Sequence, residues 1–182
     1  SAFFNREVSF YPNSGNMSIL IDQSLHRTTV ADIDTKAYWD SEDQKGINLY
    51  TTTTFVYDSN EANYGIAYVL LANGLTGTTA SWAQSNNLSG QSGSDTEMLE
   101  WYTSGTKVTG LKYDHVAIGA WGIKEGLAES LAPQITAGKE QKFAYTLSIE
   151  GNSLVQDKSQ LSVVTLLIDN ATGIIMNATQ TK

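Results

Sequence analysis

The sequence has no cysteine in 182 residues. That excludes disulfide scaffolds, Cys-ligated zinc, iron–sulfur clusters and thiol chemistry within the chain, while leaving the compartment open. Proline is nearly missing as well, with 2 residues against an average of about 5%. Basic side chains are few: 11 against 19 acidic ones, a net charge of −8, and no run of Lys or Arg. Phosphate backbones need a basic footprint, so nucleic acid is not an expected partner. A long apolar run is lacking too. The longest uncharged stretch, 62–94, is broken by Asn, Gly, Ser, Thr and Gln, and so is no membrane span. The opening SAFFNRE has no initiator Met, basic n-region or apolar h-region. It reads as the start of a soluble piece cut from something longer, without a signal peptide.

What is present points to strands. Hydrophobic residues make up 41%, enough for a sizeable core, and the length fits one domain with or without a fragment of another at roughly 150 residues per domain. Ser and Thr number 38, Tyr 9 and Trp 4. The β-branched Thr and the aromatic side chains among them fit a pleated surface better than a helix.

Residues 2–10 read as a short strand, followed by a turn at Pro12–Gly15 and a helix that Asn16 or Ser14 can cap and that ends near Arg27. From Val30 the period becomes two. Ala31, Ile33, Thr35, Ala37 and Trp39 share one face, and Asp32, Asp34, Lys36 and Tyr38 the other. A polar turn at 40–46 leads to a second alternating run, Ile47 to Tyr57, and together they predict a hairpin. The run YGIAYVLLA (64–72) predicts a strand buried on both faces. Residues 73–94 form a long Gly/Ser/Thr/Asn-rich loop around Trp82, and such loops are usually functional or disordered. Ser94-Asp95-Thr96-Glu97 fits a capping box before a short helix bearing Met98, Trp101 and Tyr102. Further strands are expected at 116–121 and at the alternating run Phe143 to Ile149, with an amphipathic stretch at 125–132 between them. A closing hairpin of 161–168 and 174–181 turns at Gly173. The expected fold is an antiparallel β-sandwich of immunoglobulin or fibronectin type over residues 30–182. Residues 1–29, strand–turn–helix, stand outside it.

The motifs carry little chemistry. His26 lies in the early helix. His115 follows Asp114, but neighbours in a strand point to opposite faces, so His115 reads as structural. Asp40, Glu42 and Asp43 sit in one turn and read as a solvated acidic turn rather than a calcium loop. No metal site, cofactor or catalytic residue is expected. The sequons at Asn16, Asn87, Asn170 and Asn177 are close to the roughly two or three that twelve Asn in a chain one-fifth Ser and Thr would give by chance, and so carry almost no information. Trp82, Trp101 and Tyr102 remain: in a loop region they either close the ends of the core or form a surface for a sugar or protein.

Several segments in order resemble the Bacteroidetes-type 28-kDa outer-membrane lipoprotein family: INLYTTTTFVYD (47–58), GIAYVLLANGL (65–75), SWAQSNNLSG (81–90), KYDHVAIGAWG (112–122) and LSVVTLLIDNATGIIMNATQ (161–180). The resemblance covers roughly residues 30–182. It implies a β-sandwich following a thioredoxin-like domain in a protein anchored at the outer membrane. SAFFNR (1–6) is similar to the strand after the cis-proline of such a domain, which would make residues 1–29 its tail. The family implies no catalytic residue at any matched position.

The function expected from these readings is a non-catalytic accessory or interaction domain of a cell-envelope lipoprotein, holding an envelope protein or a glycan. The alternatives are a glycan-active hydrolase using two carboxylates, and a purely structural spacer. A homodimer through the apolar N-terminal segment, with Phe3, Phe4, Phe10, Leu20 and Ile21, is a further expectation.

Overall fold

Past residue 30, side chains alternate between solvent and core, and the alternation closes into two antiparallel sheets. A computed structural model describes residues 2–4, 8–10, 14–26, 28–93 and 95–181, with side chains described from residue 15 onward except at 24 and 25. In chain order the elements are β1 (Ala2–Phe4), β2 (Val8–Phe10), α1 (Ser14–Leu25), β3 (Ala31–Trp39), β4 (Gly46–Phe55) and β5 (Tyr64–Ala72). A short 3-10 turn at Ala80–Trp82 precedes β6 (Gln84–Ser85), α2 (Leu99–Thr103), β7 (Lys107–Val108), β8 (Val116–Trp121) and β9 (Glu140–Ser148). A second 3-10 turn, Lys158–Gln160, leads into β10 (Leu161–Asp169) and β11 (Ile175–Thr181).

One large sheet has the order β3-β4-β9 and the other β11-β10-β5-β8, every pair antiparallel. Their inner faces supply the core, including Leu49, Phe55, Ile66, Tyr68, Leu70, Leu147 and Leu167. Hydrogen bonds cross between the sheets. Thr35 on β3 meets Thr165 on β10 at 2.8 Å, and Thr51 on β4 meets the Tyr68 hydroxyl on β5 at 2.7 Å. Tyr68 also stacks on Tyr145 of β9, centroids 5.8 Å apart. The fold is the antiparallel β-sandwich that the alternation predicts.

β5 and β10 are apolar on both faces, and the reason is visible. On the far side of their sheet Ala67, Leu166 and Ile168 form a second buried cluster with Val69, Ile123, Val164 and Ile175. Where β8 stops short, residues 122–131 cover the edge of β5 as successive turns rather than a helix. The Leu127 amide donates to the Ile66 carbonyl at 2.8 Å, and the Ser130 hydroxyl accepts from the Ile66 amide at 2.9 Å. Here Gly126, at φ +74°, lies so close to Gly65 that a Cβ on it would sit 2.6 Å from the Gly65 Cα. Neither position accommodates a side chain.

The opening differs from the single strand expected over 2–10. β1 and β2 pair with each other from Ala2↔Phe10 to Phe4↔Val8, as a sheet separate from the two large ones, and α1 follows. On α1, Ile19 and Ile21 are exposed. The expected turn at Pro12 and Asn13, the helix end at Arg27, and the side chains of Phe3, Phe4 and Phe10 lie outside the described residues. Among those described, no helix is long and apolar enough to cross a membrane.

Candidate functional site

Between β5 and β8 the chain leaves the sandwich at Asn73 and returns at His115. Its neck is clasped by residues about forty apart in sequence. The Asn73 side-chain oxygen accepts from the His115 amide at 2.7 Å, and the Asp114 carboxylate accepts from the Gly74 amide at 2.7 Å. Leu75 and Tyr113 exchange two backbone bonds of 2.9 Å. Gln156 adds a reciprocal pair with Thr76, accepting from its amide at 3.0 Å and donating to its carbonyl at 2.8 Å. Asp114 and His115 are therefore neck residues, one through its carboxylate and the other through its backbone amide. His115 takes a left-handed φ of 55° there.

Inside the excursion the hub is Asn86, 95% removed from solvent. Its amide donates to the carbonyls of Trp101 (2.7 Å) and Gly105 (3.0 Å), and its oxygen accepts from the Leu88 amide (3.0 Å). These bonds hold α2 against the two-stranded antiparallel ladder that β6 forms with β7. A buried amide bonded to three backbone groups fixes a loop as a helix or sheet would, because each backbone group would otherwise need water.

The three aromatic residues singled out by sequence fall into two places. Trp82 packs over Gly77 and against Tyr113, whose hydroxyl donates to the Trp82 carbonyl at 2.6 Å. A Cβ at Gly77 would meet the indole at 2.2 Å, so this ring requires a glycine beneath it. Trp101 and Tyr102 lie on α2, with the Tyr102 ring over Gly93 and its carbonyl accepting from Gly90. All three are half-buried, and none belongs to either hydrophobic cluster of the sandwich. Met98 and Leu99 beside them are exposed, Leu99 by 55%. Ser94, the expected cap of α2, lies outside the described residues. Asp95 is seen accepting from the Glu97 amide at 3.0 Å, and the α2 N-cap position, Met98, has no side-chain cap bond.

The remaining sequence candidates are surface features. His26 lies 3.3 Å from Asp22, one turn away on α1, with both side chains exposed. In the acidic turn, Asp40 accepts from the Ser41 hydroxyl at 3.2 Å and its carboxylate lies over Gly46. Desolvation is the largest single influence and pulls its pKa up, but the hydrogen bonds from Gly46 and Ser41 together outweigh it and hold the carboxyl below the ordinary carboxylate value. Asp157 is held low by the Ser159 hydroxyl and amide at 2.7 and 2.9 Å. Both carboxyls serve as acceptors in turns; a glycosidic general acid needs the opposite direction.

Sequence reasoning missed a set of aromatics on the scaffold itself. Tyr38 and Tyr50, on the outer face of β3 and β4, are 56% and 52% exposed. Their rings meet edge-on with centroids 6.1 Å apart. Trp39, at the end of β3, lines an open cleft of about 330 Å³ with Ile47, Leu161 and Val163. Lys158 lies over that indole at 5.8 Å while donating to the Asp43 carbonyl at 3.0 Å, so this aromatic already has its cation. The available signal was a Tyr at both 38 and 50, on the strand face that otherwise carries Asp and Lys.

These features define an antiparallel β-sandwich with an ordered, clasped appendage. No family model matches the chain, and no curated protein matches it in sequence. Among solved structures it is similar to a domain of the outer membrane lipoprotein Omp28 from Porphyromonas gingivalis, at 11% identity over 86% of this chain and 89% of that one, with a TM-score of 0.39.

Proposed function

We propose that the chain is a non-catalytic interaction domain of a bacterial cell-envelope lipoprotein, whose recognition surface is the excursion between β5 and β8. One observation carries this reading. About forty residues are held in a defined shape by their own hydrogen bonds, yet supply nothing to the two hydrophobic clusters that hold the sandwich together. A connector between adjacent strands needs only a few residues, and ordering the rest costs backbone entropy that the core does not return. Recognition by loops on a rigid scaffold accounts for the cost. Exposed Met98 and Leu99 beside Trp101 and Tyr102 favour a protein partner over a glycan here, because long flexible aliphatic side chains match the core of a protein interface, whereas a pyranose face is met by flat rings and polar groups.

The envelope assignment rests on the sequence resemblance of segments 47–58, 65–75, 112–122 and 161–180 to the lipoprotein family. In the same reading, residues 1–29 are the tail of a preceding thioredoxin-like domain, and their hairpin-then-helix order supports it. Seven principal strands divided four and three support an immunoglobulin-like or fibronectin-like sandwich.

The experiment is a screen of the full chain against arrayed envelope proteins and glycans, with each hit re-measured on Trp101→Ala, Leu99→Ser and Trp82→Ala. Loss of an aromatic anchor should weaken binding by about thirtyfold. Affinity unchanged in all three folded variants would contradict the assignment, and so would turnover of a glycan by the chain.

A further inference from the structure

The outer face of the three-stranded sheet is divided in two. Across β3, β4 and β9 its rows run Asp32–Thr54–Glu140, Asp34–Thr52–Lys142, Lys36–Tyr50–Ala144 and Tyr38–Asn48–Thr146. The first two rows are charged, as a wet face should be, and Lys142 pairs with Glu140 at 3.1 Å. The last two hold two exposed tyrosines, an amide, a hydroxyl and a methyl, between Lys36 at one border and, at the other, the Asp40 carboxylate lying over Gly46. Two aromatic rings more than half exposed contribute little to the fold of the monomer.

The local shape follows from the register. Ala144 stands directly opposite Tyr50, and its small side chain leaves one side of the ring uncovered. A shallow depression of about 220 Å³ opens there, lined by Tyr50, Ala144, Asn48 and Thr146. On its rim the Thr146 hydroxyl donates to the Asn48 carbonyl oxygen at 2.7 Å. That bond uses one acceptor and one hydrogen. The two amide hydrogens of Asn48 and the lone pairs of Thr146 remain for a ligand.

We infer that this half-face is a binding site for a neutral oligosaccharide. A pyranose ring presents an apolar face of C–H groups and a rim of hydroxyls that both donate and accept. Tyr50 and the Ala144 methyl match the first, while Asn48, Thr146 and the Tyr38 and Tyr50 hydroxyls match the second. Charge selects the class. One cation, Lys36, and one carboxylate, Asp40, border the half-face at opposite ends and the rings between them are uncharged, so neither a basic peptide nor a polyuronate finds a complementary field there. The site is separate from the excursion and does not depend on its function.

The test uses the full chain, labelled with nitrogen-15, titrated with neutral tetrasaccharides of the β-glucan and chitin types. Saturable shifts are expected at the amides of Tyr38, Asn48, Tyr50, Ala144 and Thr146. Tyr50→Ala should weaken binding by about tenfold, Tyr50→Phe, which keeps the ring and loses one hydroxyl, by clearly less, and Trp101→Ala in the excursion should leave it unchanged. The inference is overturned if no probe shifts these amides at about 10 mM, well above a weak 1 mM dissociation constant. It is overturned equally if the shifts map elsewhere, or if the same amides respond to protein concentration alone, which would mark the face as a contact between two copies.

Discussion

Hydroxyls inside the sandwich set a test at the scale of single residues. Thr35 joins Thr51 at 2.9 Å and Thr165 at 2.8 Å, and Thr51 joins Tyr68, so four buried oxygens on both sheets satisfy one another. Two positions along the same strand, the buried Thr53 hydroxyl finds no hydrogen-bond partner. The same substitution should therefore act with opposite sign. Thr51→Val breaks two bonds and should cost about 1–3 kcal/mol, whereas Thr53→Val removes an unpaired polar group and should stabilise by about 1 kcal/mol. Urea unfolding of the two variants decides it, and equal effects would contradict the network.

The tyrosines add a pH dependence. Burial pushes Tyr64 and Tyr68 up to about 12. An unfolded tyrosine ionises near 10. Below about pH 10 both states keep the proton and the stabilisation is complete. Between about 10 and 12 the unfolded chain loses a proton that the folded chain retains, so stability falls as pH rises. Fully buried Tyr68 should account for about 2–3 kcal/mol of that loss, and partly buried Tyr64 for less. Alkaline unfolding of Tyr68→Phe should show a correspondingly shallower fall; an unchanged profile would contradict the assignment.

At the scale of elements, the strands were legible and the excursion was not. A period of two reports strand faces directly, so the alternating runs at 31–39, 47–57 and 143–149 could be read as strands, and the structure places them at Ala31–Trp39, Gly46–Phe55 and Glu140–Ser148. The unbroken run at Tyr64–Ala72 reported two buried faces, which the second cluster explains. Period says nothing about which inward threonines bond to one another, because Thr35, Thr51 and Thr165 meet only once the sheets stack. The neck is hidden for the same reason: Asn73 and His115 are distant in sequence and adjacent in space. Asn86 stands in a polar stretch where nothing local marks it as buried. Its role gives the element-scale prediction. Asn86→Ala leaves two carbonyls and one amide without their side-chain partner and should cost the excursion about 1–3 kcal/mol. Hydrogen exchange should then quicken across 84–108 while β4, β5 and β10 keep their protection. Uniform loss of protection would show that the excursion and the sandwich unfold as one.

The whole molecule divides the labour between a scaffold and an appendage. The two sheets share one core, the excursion is pinned at its neck by Asn73, Asp114 and Gln156, and its hub is its own. The most direct measurement compares the full chain with one in which residues 76–112 are replaced by a short Gly-Ser turn. Both are assayed for binding to a protein captured by the full chain and for thermal unfolding. The account predicts that the shortened chain keeps its cooperative unfolding within about 4 °C of the parent and loses the captured partner entirely. A shortened chain that still binds, or one that no longer folds, would contradict it.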